Sequence, residues 1–415
     1  MARLRLRGRV TDRDPLEVEV ARVLNNDNCS GCGACALLDP RIVIEDSADG
    51  FLRPRVCQPR FESSSSNDLA EQFKSVCPGV GLASPESAGD SHPTFGRYLG
   101  AWEAWAADPE VRRQGSSGGV ITALSLGLVE AGEASGTHCV ASSPTKASRT
   151  VPITITSRDE ALAAAGSRYA PVATLSQWSG AEDQVLVAKP CEVAAARGYH
   201  RVSPGAGAPP LMISFFCAGT PSQHATDRLV TAIGRDVENL TSLRYRGDGW
   251  PGSFAASDIA GTSTLSYEES WGQHLGRDLQ WRCKLCVDGT GEFADIAVGD
   301  YWKTDAKGFP VFSENDGSSV VIARTPRGLE VLRSAIKSGV IVVRELSLDA
   351  VAGVQPLQRQ RRAVLSGRLL GRRLAGKVPP HYRGYGLYRG WLSQPVATAR
   401  TTLGTWARSR RKPHA

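Results

Sequence analysis

Eight of the ten cysteines in this 415-residue chain fall into two sets of four. One set is built round Trp281-Arg282-Cys283-Lys284-Leu285-Cys286. A Cys-x-x-Cys pair puts two thiols on one tight turn, which suits a metal, an iron–sulfur cluster or a redox disulfide. A pair is half of a four-thiolate site. Cys191 follows Lys189-Pro190, and Cys217 ends the apolar run 211–216. Both lie where a strand should end and a helix or loop begin, the edge that carries sites in α/β folds. Cys191, Cys217, Cys283 and Cys286 are therefore read as one cluster site.

The other set opens with Asn28-Cys29-Ser30-Gly31-Cys32-Gly33-Ala34-Cys35. This triplet matches the start of the bacterial ferredoxin run C-x2-C-x2-C-x3-C-P. The fourth place holds Asp39, followed by Pro40. A carboxylate can bind iron, but Cys77-Pro78-Gly79 offers a thiolate with proline just after it, and Cys77 is the expected fourth ligand. Gly33 fits because backbone crowded round a cluster favours residues without a side chain. The rival, a zinc ribbon, normally uses separate Cys-x-x-Cys pairs rather than an overlapping triplet. Cys57 and Cys139 are left over and are read as ordinary small residues.

Two loops have the composition of a binding site. Arg112-Arg113-Gln114-Gly115-Ser116-Ser117-Gly118-Gly119 runs into the apolar helix pattern from Val120. Glycines allow close backbone approach, serines donate hydrogen bonds, and a helix N-terminus favours an anion such as a flavin or nucleotide phosphate. A plain capped helix start reads the same way. Ala165-Gly166-Ser167-Arg168-Tyr169-Ala170 places a hydroxyl, a cation and an aromatic ring on one loop. Arg244 to Gly252 is a glycine-rich turn with cationic and aromatic groups, and Asp295 and Asp300 flank a strand. Each has a structural reading as well as a binding one.

The elements that must position these residues alternate. Apolar runs at 184–188, 211–216, 296–300, 319–324 and 340–343 read as strands, with helices between, for instance at 326–337. The fold class expected is α/β: a small N-terminal iron–sulfur domain (1–90), a larger α/β flavin-binding and second-cluster domain (91–384, in parts 91–180 and 181–350), and a basic C-terminal tail (385–415). Residues 1–24 read as an irregular lead-in and 63–66 as a polar loop.

Hydrophobic content of 41% is that of a globular protein. No run reaches the roughly 20 apolar residues of a membrane helix, and the basic N-terminus has no apolar signal core. A cytoplasmic protein is expected, in which ten cysteines serve metal or redox chemistry rather than disulfides. The net charge of +7 is uneven: 351–415 holds fourteen Lys or Arg and no Asp or Glu. Such an end attracts an anionic surface or an acidic partner, or only solubilises. No helix-turn-helix or zinc finger accompanies it, so nucleic acid is not an expected partner.

The order of these pieces, from about residue 28 to 383, resembles the beta-subunit family of coenzyme F420 hydrogenases and dehydrogenases, which includes 7-hydroxymethyl chlorophyll a reductase-like proteins. The resemblance rests on the Cys29 to Cys35 triplet, Cys77-Pro78-Gly79, the loops at 115–119 and 166–169, Lys189-Pro190-Cys191, Phe216-Cys217-Ala218-Gly219, the turn at 244–252 and Arg282-Cys283-Lys284-Leu285-Cys286. It implies an oxidoreductase with FAD, one or two [4Fe–4S] clusters (two, on the cysteine count), and coenzyme F420 or another small molecule as substrate. FAD is expected against Ser116, Ser117, Gly118, Gly119, Ser167, Arg168, Tyr169 and Lys189. Lys189 is the expected catalytic residue, stabilising negative charge on the reduced flavin, or else pairing with a carboxylate. A ferredoxin-like carrier is the expected electron donor or acceptor, and homo-oligomerisation is left open. Two other classes fit part of the pattern: an electron-transfer subunit without its own substrate, and a zinc-bearing structural protein.

Overall fold

The computed structural model describes residues 14–57, 64–86, 88–203, 207–302 and 316–410. Its centre is an eight-stranded mixed sheet. In chain order the strands are β1 (Gly100–Ala106), β2 (Gly136–Ser142), β3 (Thr150–Ile155), β4 (Gln184–Ala188), β5 (Leu211–Phe215), β6 (Ile296–Asp300), β7 (Ser319–Ala323) and β8 (Ile341–Glu345). Across the sheet they run β8-β1-β7-β6-β5-β4-β2-β3.

Four adjacent strands, β6, β5, β4 and β2, are parallel, and the pairings on either side of them are antiparallel. Parallel strands are covered on both faces and read as continuous apolar runs. Accordingly Val185, Leu186, Leu211, Met212, Ile213, Ile296 and Ala297 are all buried. Parallel strands also point their carboxyl ends the same way. Lys189 and Cys191 follow β4, Cys217 follows β5, and Asp300 ends β6, so the α/β expectation and the edge on which the cysteines fall agree.

Within the stretch expected to be an irregular lead-in, residues 1–13 lie outside the described residues and Pro15–Asn25 is a helix. Asp14 caps it, Pro15 starts it, and Leu16, Val20 and Val23 form its buried stripe. A second helix, Ser64–Val76, begins inside the serine run expected to be a loop, Ser63 lying outside the described residues. A hairpin, Ile42–Asp46 with Leu52–Val56, lies between them in sequence. This region shares a core with the main sheet: Ala34 and Val76 pack in one cluster with Leu175, Trp178, Leu186 and Met212.

The expected basic tail is corrected. Up to residue 410 it is folded, with a helix Pro395–Arg410 whose Thr398, Thr402 and Thr405 are buried. It packs on the helix Leu365–Leu374 closely enough that a Cβ at Gly367 or Gly371 would lie 2.5 Å from the carbonyl oxygens of Thr398 or Thr402. Small residues on the facing helices let backbone approach backbone, while Arg373 is exposed and the buried Arg372 is neutralised by Asp27.

Candidate functional site

Cys29, Cys32, Cys35 and Cys77 line one small cavity, of about 20 Å³, walled by Val20, Val23, Phe73 and Val76. The helices Pro15–Asn25 and Ser64–Val76 supply those apolar walls, and the short helix Ala34–Leu38 carries Cys35. Gly33 sits at φ 86°, and a Cβ there would stand 2.7 Å from the backbone nitrogen of Ser176, so this loop is pressed against the main body. Leu175 N–H donates to the Cys32 carbonyl at 3.0 Å. Burial pushes the Cys32 thiol up to about 11 and the Cys77 thiol to about 12, with the Cys29 thiol adding to both. Asp39 is absent from the cavity wall: its carboxylate is paired with Arg41 at 2.7 Å. The structure thus brings Cys77, not Asp39, to the triplet.

The second set assembles at the ends of β4 and β5. Cys191 lies in the first turn of the helix Pro190–Val202. Cys217 lies two residues beyond β5, tied by its own N–H to the Gly289 carbonyl at 2.9 Å. Cys283 and Cys286 lie on the turn that starts with the short helix Trp281–Lys284. Thr220 N–H donates to Cys283 Sγ at 3.2 Å, and the Cys286 thiol donates to the Asp288 carbonyl at 2.9 Å. Burial pushes Cys217 up to about 12, and the neighbouring Cys283 and Cys286 thiols add to it. Burial also raises Cys191, which feels Cys286 and Cys217. Arg361 caps the site from the C-terminal region, donating to the Cys217 carbonyl at 3.0 Å.

A larger cavity, of about 220 Å³, opens at the carboxyl ends of the parallel strands. Its wall joins the serine loop (Ser116, Ser117, Gly119), the 165–170 loop (Ser167, Arg168, Tyr169), Lys189, and 215–220 with Cys217. Residues from four separate stretches of sequence therefore face one space, and that space touches the second thiol set. The helix Val120–Glu130 points its N-terminus here, with Gly119 at φ 73° and no side-chain cap. Its first N–H groups are open to an anion. Ser167 donates to Ser116 Oγ at 2.8 Å, holding the two loops together.

Gly118 is a correction. It faces the sheet, not the cavity. A Cβ there would lie 2.6 Å from the Ala104 carbonyl oxygen, and its N–H bonds Ser319 Oγ at 2.9 Å. Arg168 reaches the wall, but its guanidinium donates to the carbonyls of Leu243 (2.7 Å), Arg149 (3.0 Å) and Ala147 (3.3 Å). It clamps loops together. Lys189 lies 2.8 Å from Glu192. Burial works against its charge, yet Glu192 and the Cys191 and Cys217 thiols hold its pKa raised. It stays a cation at the boundary of cavity and thiol set.

Sequence reasoning left Arg246 and Asp300 as optional. The structure puts both on the cavity wall as an ion pair, 2.9 Å apart. Arg246 is fully buried, stacks over the rings of Tyr267 and Trp302 at 4.5 and 5.5 Å, and has no hydrogen-bond partner for Nη2 among the described residues. The signal was the Arg-Gly-Asp-Gly-Trp-Pro-Gly turn at 246–252. Asp295, by contrast, is a latch: it accepts from Met212 N–H at 2.9 Å and pairs with Arg197 at 2.7 Å.

An α/β sheet with thiols and an anion-accepting helix end at its strand edge defines a class of redox protein. Comparisons narrow the class to a family. Residues 101–179 match the N-terminal part, and 182–348 the C-terminal part, of the coenzyme F420 hydrogenase/dehydrogenase beta subunit. The chain belongs to this family. It is 25% identical to the coenzyme F420 hydrogenase subunit beta of Methanococcus voltae, over 69% of this chain and 99% of that one. The same subunit of Methanothermobacter thermautotrophicus is 26% identical, over 59% and 84%. Among solved structures, the F420-reducing [NiFe] hydrogenase complex from Methanosarcina barkeri contains a chain that shares the fold, with a TM-score of 0.51. That likeness is at 21% identity and covers 66% of this chain and 91% of that one.

Proposed function

We propose that this chain is an iron–sulfur flavoprotein oxidoreductase. In this reading each thiol set holds a [4Fe–4S] cluster, the larger cavity holds FAD, and electrons pass between them to coenzyme F420 or another small organic substrate. The observation that carries the reading is the shared wall: Cys217 of the second thiol set and Ser116 and Ser117 of the anion-accepting loop line one cavity. Among the described residues, no cysteine of the first thiol set lines this cavity.

The donor sets fit clusters better than zinc. A lone zinc ion needs four ligands about 2.3 Å from one centre. A zinc ribbon draws them from separate Cys-x-x-Cys pairs, whereas Cys29, Cys32 and Cys35 form an overlapping triplet that Cys77 joins. The four thiols of the first set line one cavity with no imidazole in its wall, a donor set that suits an iron–sulfur cluster held by cysteines.

A flavin, when bound, supplies the exchange between one-electron and two-electron chemistry. The chain's own residues do the rest. The N–H groups at the start of the helix Val120–Glu130 bind a phosphate, and Ser116 donates beside them. Lys189 keeps a fixed positive charge on the cavity wall next to Cys191, where it stabilises negative charge that develops during reduction. Arg246 offers its unpartnered N–H to an acceptor atom, held in place by Asp300. Phe215 and Phe216 make the wall between cavity and sheet apolar and exclude water.

Anaerobic purification tests the reading. About eight irons and one flavin per chain are expected. Zinc without iron or flavin would sink it. The named relatives are subunits, so a second reading is an electron-transfer subunit of a larger complex. Turnover by the isolated chain with an artificial donor separates the two.

A further inference from the structure

A guanidinium with no carboxylate lies between the two thiol sets. Arg282 is 2% exposed. Its Nη2 donates to the Pro78 carbonyl at 3.0 Å, one residue past Cys77. Its Nη1 donates to the Tyr382 hydroxyl at 2.9 Å, and that hydroxyl donates to the Leu285 carbonyl at 2.7 Å, between Cys283 and Cys286. Its Nε has no hydrogen-bond partner among the described residues. The side chain therefore touches the backbone of one thiol set and, through one tyrosine, that of the other.

Some buried arginines in this fold have an acidic partner, whereas Arg324, among the described residues, donates only to the carbonyls of Phe95, Arg97 and Thr290. Arg246 pairs with Asp300 at 2.9 Å and Arg372 with Asp27 at 2.8 Å. For Arg282, no Asp or Glu comes within ion-pair distance among the described residues. Taking an ion out of water without a counterion is costly unless hydrogen bonds or nearby opposite charge compensate it. Besides Tyr382, the titratable groups that Arg282 faces are Cys286, Cys191 and Cys283 on one side and, on the other, Cys29, which Arg53 faces as well.

We propose that Arg282 is the shared countercharge of the two cluster sites: one fixed cation that raises the midpoint potential of both. The proposal rests on the cluster reading above. Adding one electron to a cluster adds one negative charge, and a nearby cation favours that reduced form. The effect is strong where water is excluded. When an electron moves from one cluster to the other, one site loses a negative charge and the other gains it. The total charge round Arg282 stays the same, so the cation remains compensated throughout the transfer. The first electron comes from an external one-electron carrier. Arg282 touches neither substrate nor flavin and acts as a positioning residue.

The test is an anaerobic redox titration of the full chain, followed by electron paramagnetic resonance, in the wild type, Arg282→Met and Arg282→Lys. With iron content unchanged, both midpoint potentials should move negative in Arg282→Met and stay near wild type in Arg282→Lys. Potentials that stay put in Arg282→Met, or a shift confined to one cluster, would overturn the proposal. If Arg282→Met fails to hold iron, Arg282→Lys decides. Full iron with near-native potentials supports the charge, and loss of iron there too shows that only the shape of the guanidinium matters and overturns the proposal. A wild type lacking iron in either thiol set refutes the cluster reading instead, and its iron count shows this before any variant is compared.

Discussion

Gln280 Nε2 donates to the Ser30 carbonyl at 3.2 Å and approaches Cys283 Sγ at 3.6 Å, joining loops 250 residues apart in sequence. Its Oε1 accepts from Arg53 at 3.1 Å. This buried amide pins the triplet loop to the Cys-x-x-Cys turn. Gln280→Leu leaves the Ser30 carbonyl and an Arg53 donor without their partner, which costs about 1–3 kcal/mol. Denaturant titration of the metal-free protein should show a lower midpoint with an unchanged slope. An unchanged midpoint would mean that water replaces the amide without loss.

Gly118→Val should destabilise the whole fold, because its side chain meets the Ala104 carbonyl before it can reach the cavity. Iron and flavin should fall together, with a lower melting temperature. Ser116→Ala, on the cavity wall, removes one neutral hydrogen bond worth about 0.5–1.5 kcal/mol. It should weaken flavin binding by up to about tenfold with iron retained. The pair of flavin-to-iron ratios checks both; flavin loss alone in Gly118→Val would contradict the sheet-facing geometry.

Removing residues 385–415 should expose the packed face of the helix Leu365–Leu374. Soluble yield should drop sharply, since Gly367 and Gly371 lose the backbone they touch. A soluble truncated protein with wild-type iron and melting temperature would show that the terminal helix adds nothing to stability.

Cys57 and Cys139 belong to neither thiol set. Cys57 accepts from Arg55 Nη1 at 3.0 Å, and Cys139 lies on β2 at the wall of the larger cavity. Burial pushes the Cys139 thiol up to about 12. The double variant Cys57→Ser, Cys139→Ser should keep full iron content. Loss of about four irons would reassign one of them as a ligand.

Glu292 gives a pH signature. Burial pushes its carboxyl up to about 7 from the ordinary 4.5, Asp288 adds to this, and Arg362 opposes it. The folded state therefore favours the protonated form. Its stabilising effect is complete below about pH 4.5 and is lost as pH rises through 7. At about 1.4 kcal/mol per unit, the loss is at most about 3.5 kcal/mol. Glu292→Gln should flatten the fall in stability between pH 5 and pH 8, measured by chemical denaturation. Parallel pH profiles for the two proteins would show that Arg362 keeps Glu292 ionised throughout.

The chemistry of this protein is written locally. The triplet Cys29, Cys32 and Cys35, the pair Cys283 and Cys286, and the serine loop before Val120 each lie within one turn of chain, so covalent geometry alone sets their spacing. The apolar runs of β4, β5 and β6 announced buried parallel strands, and hence the edge on which Cys191 and Cys217 would fall. The helix Pro15–Asn25 was also legible, in Asp14-Pro15 and the stripe of Leu16, Val20 and Val23, though it was read as irregular. What only the tertiary structure decided depends on packing between distant segments. It brought Cys77 to the triplet, turned Gly118 toward the sheet, folded the basic C-terminus onto the body, and drew Arg246 and Asp300 onto the cavity wall. It also set Arg282 between the thiol sets without an acidic partner, a position no local pattern encodes, because it is fixed by the contacts of Pro78 and Tyr382 from opposite ends of the chain.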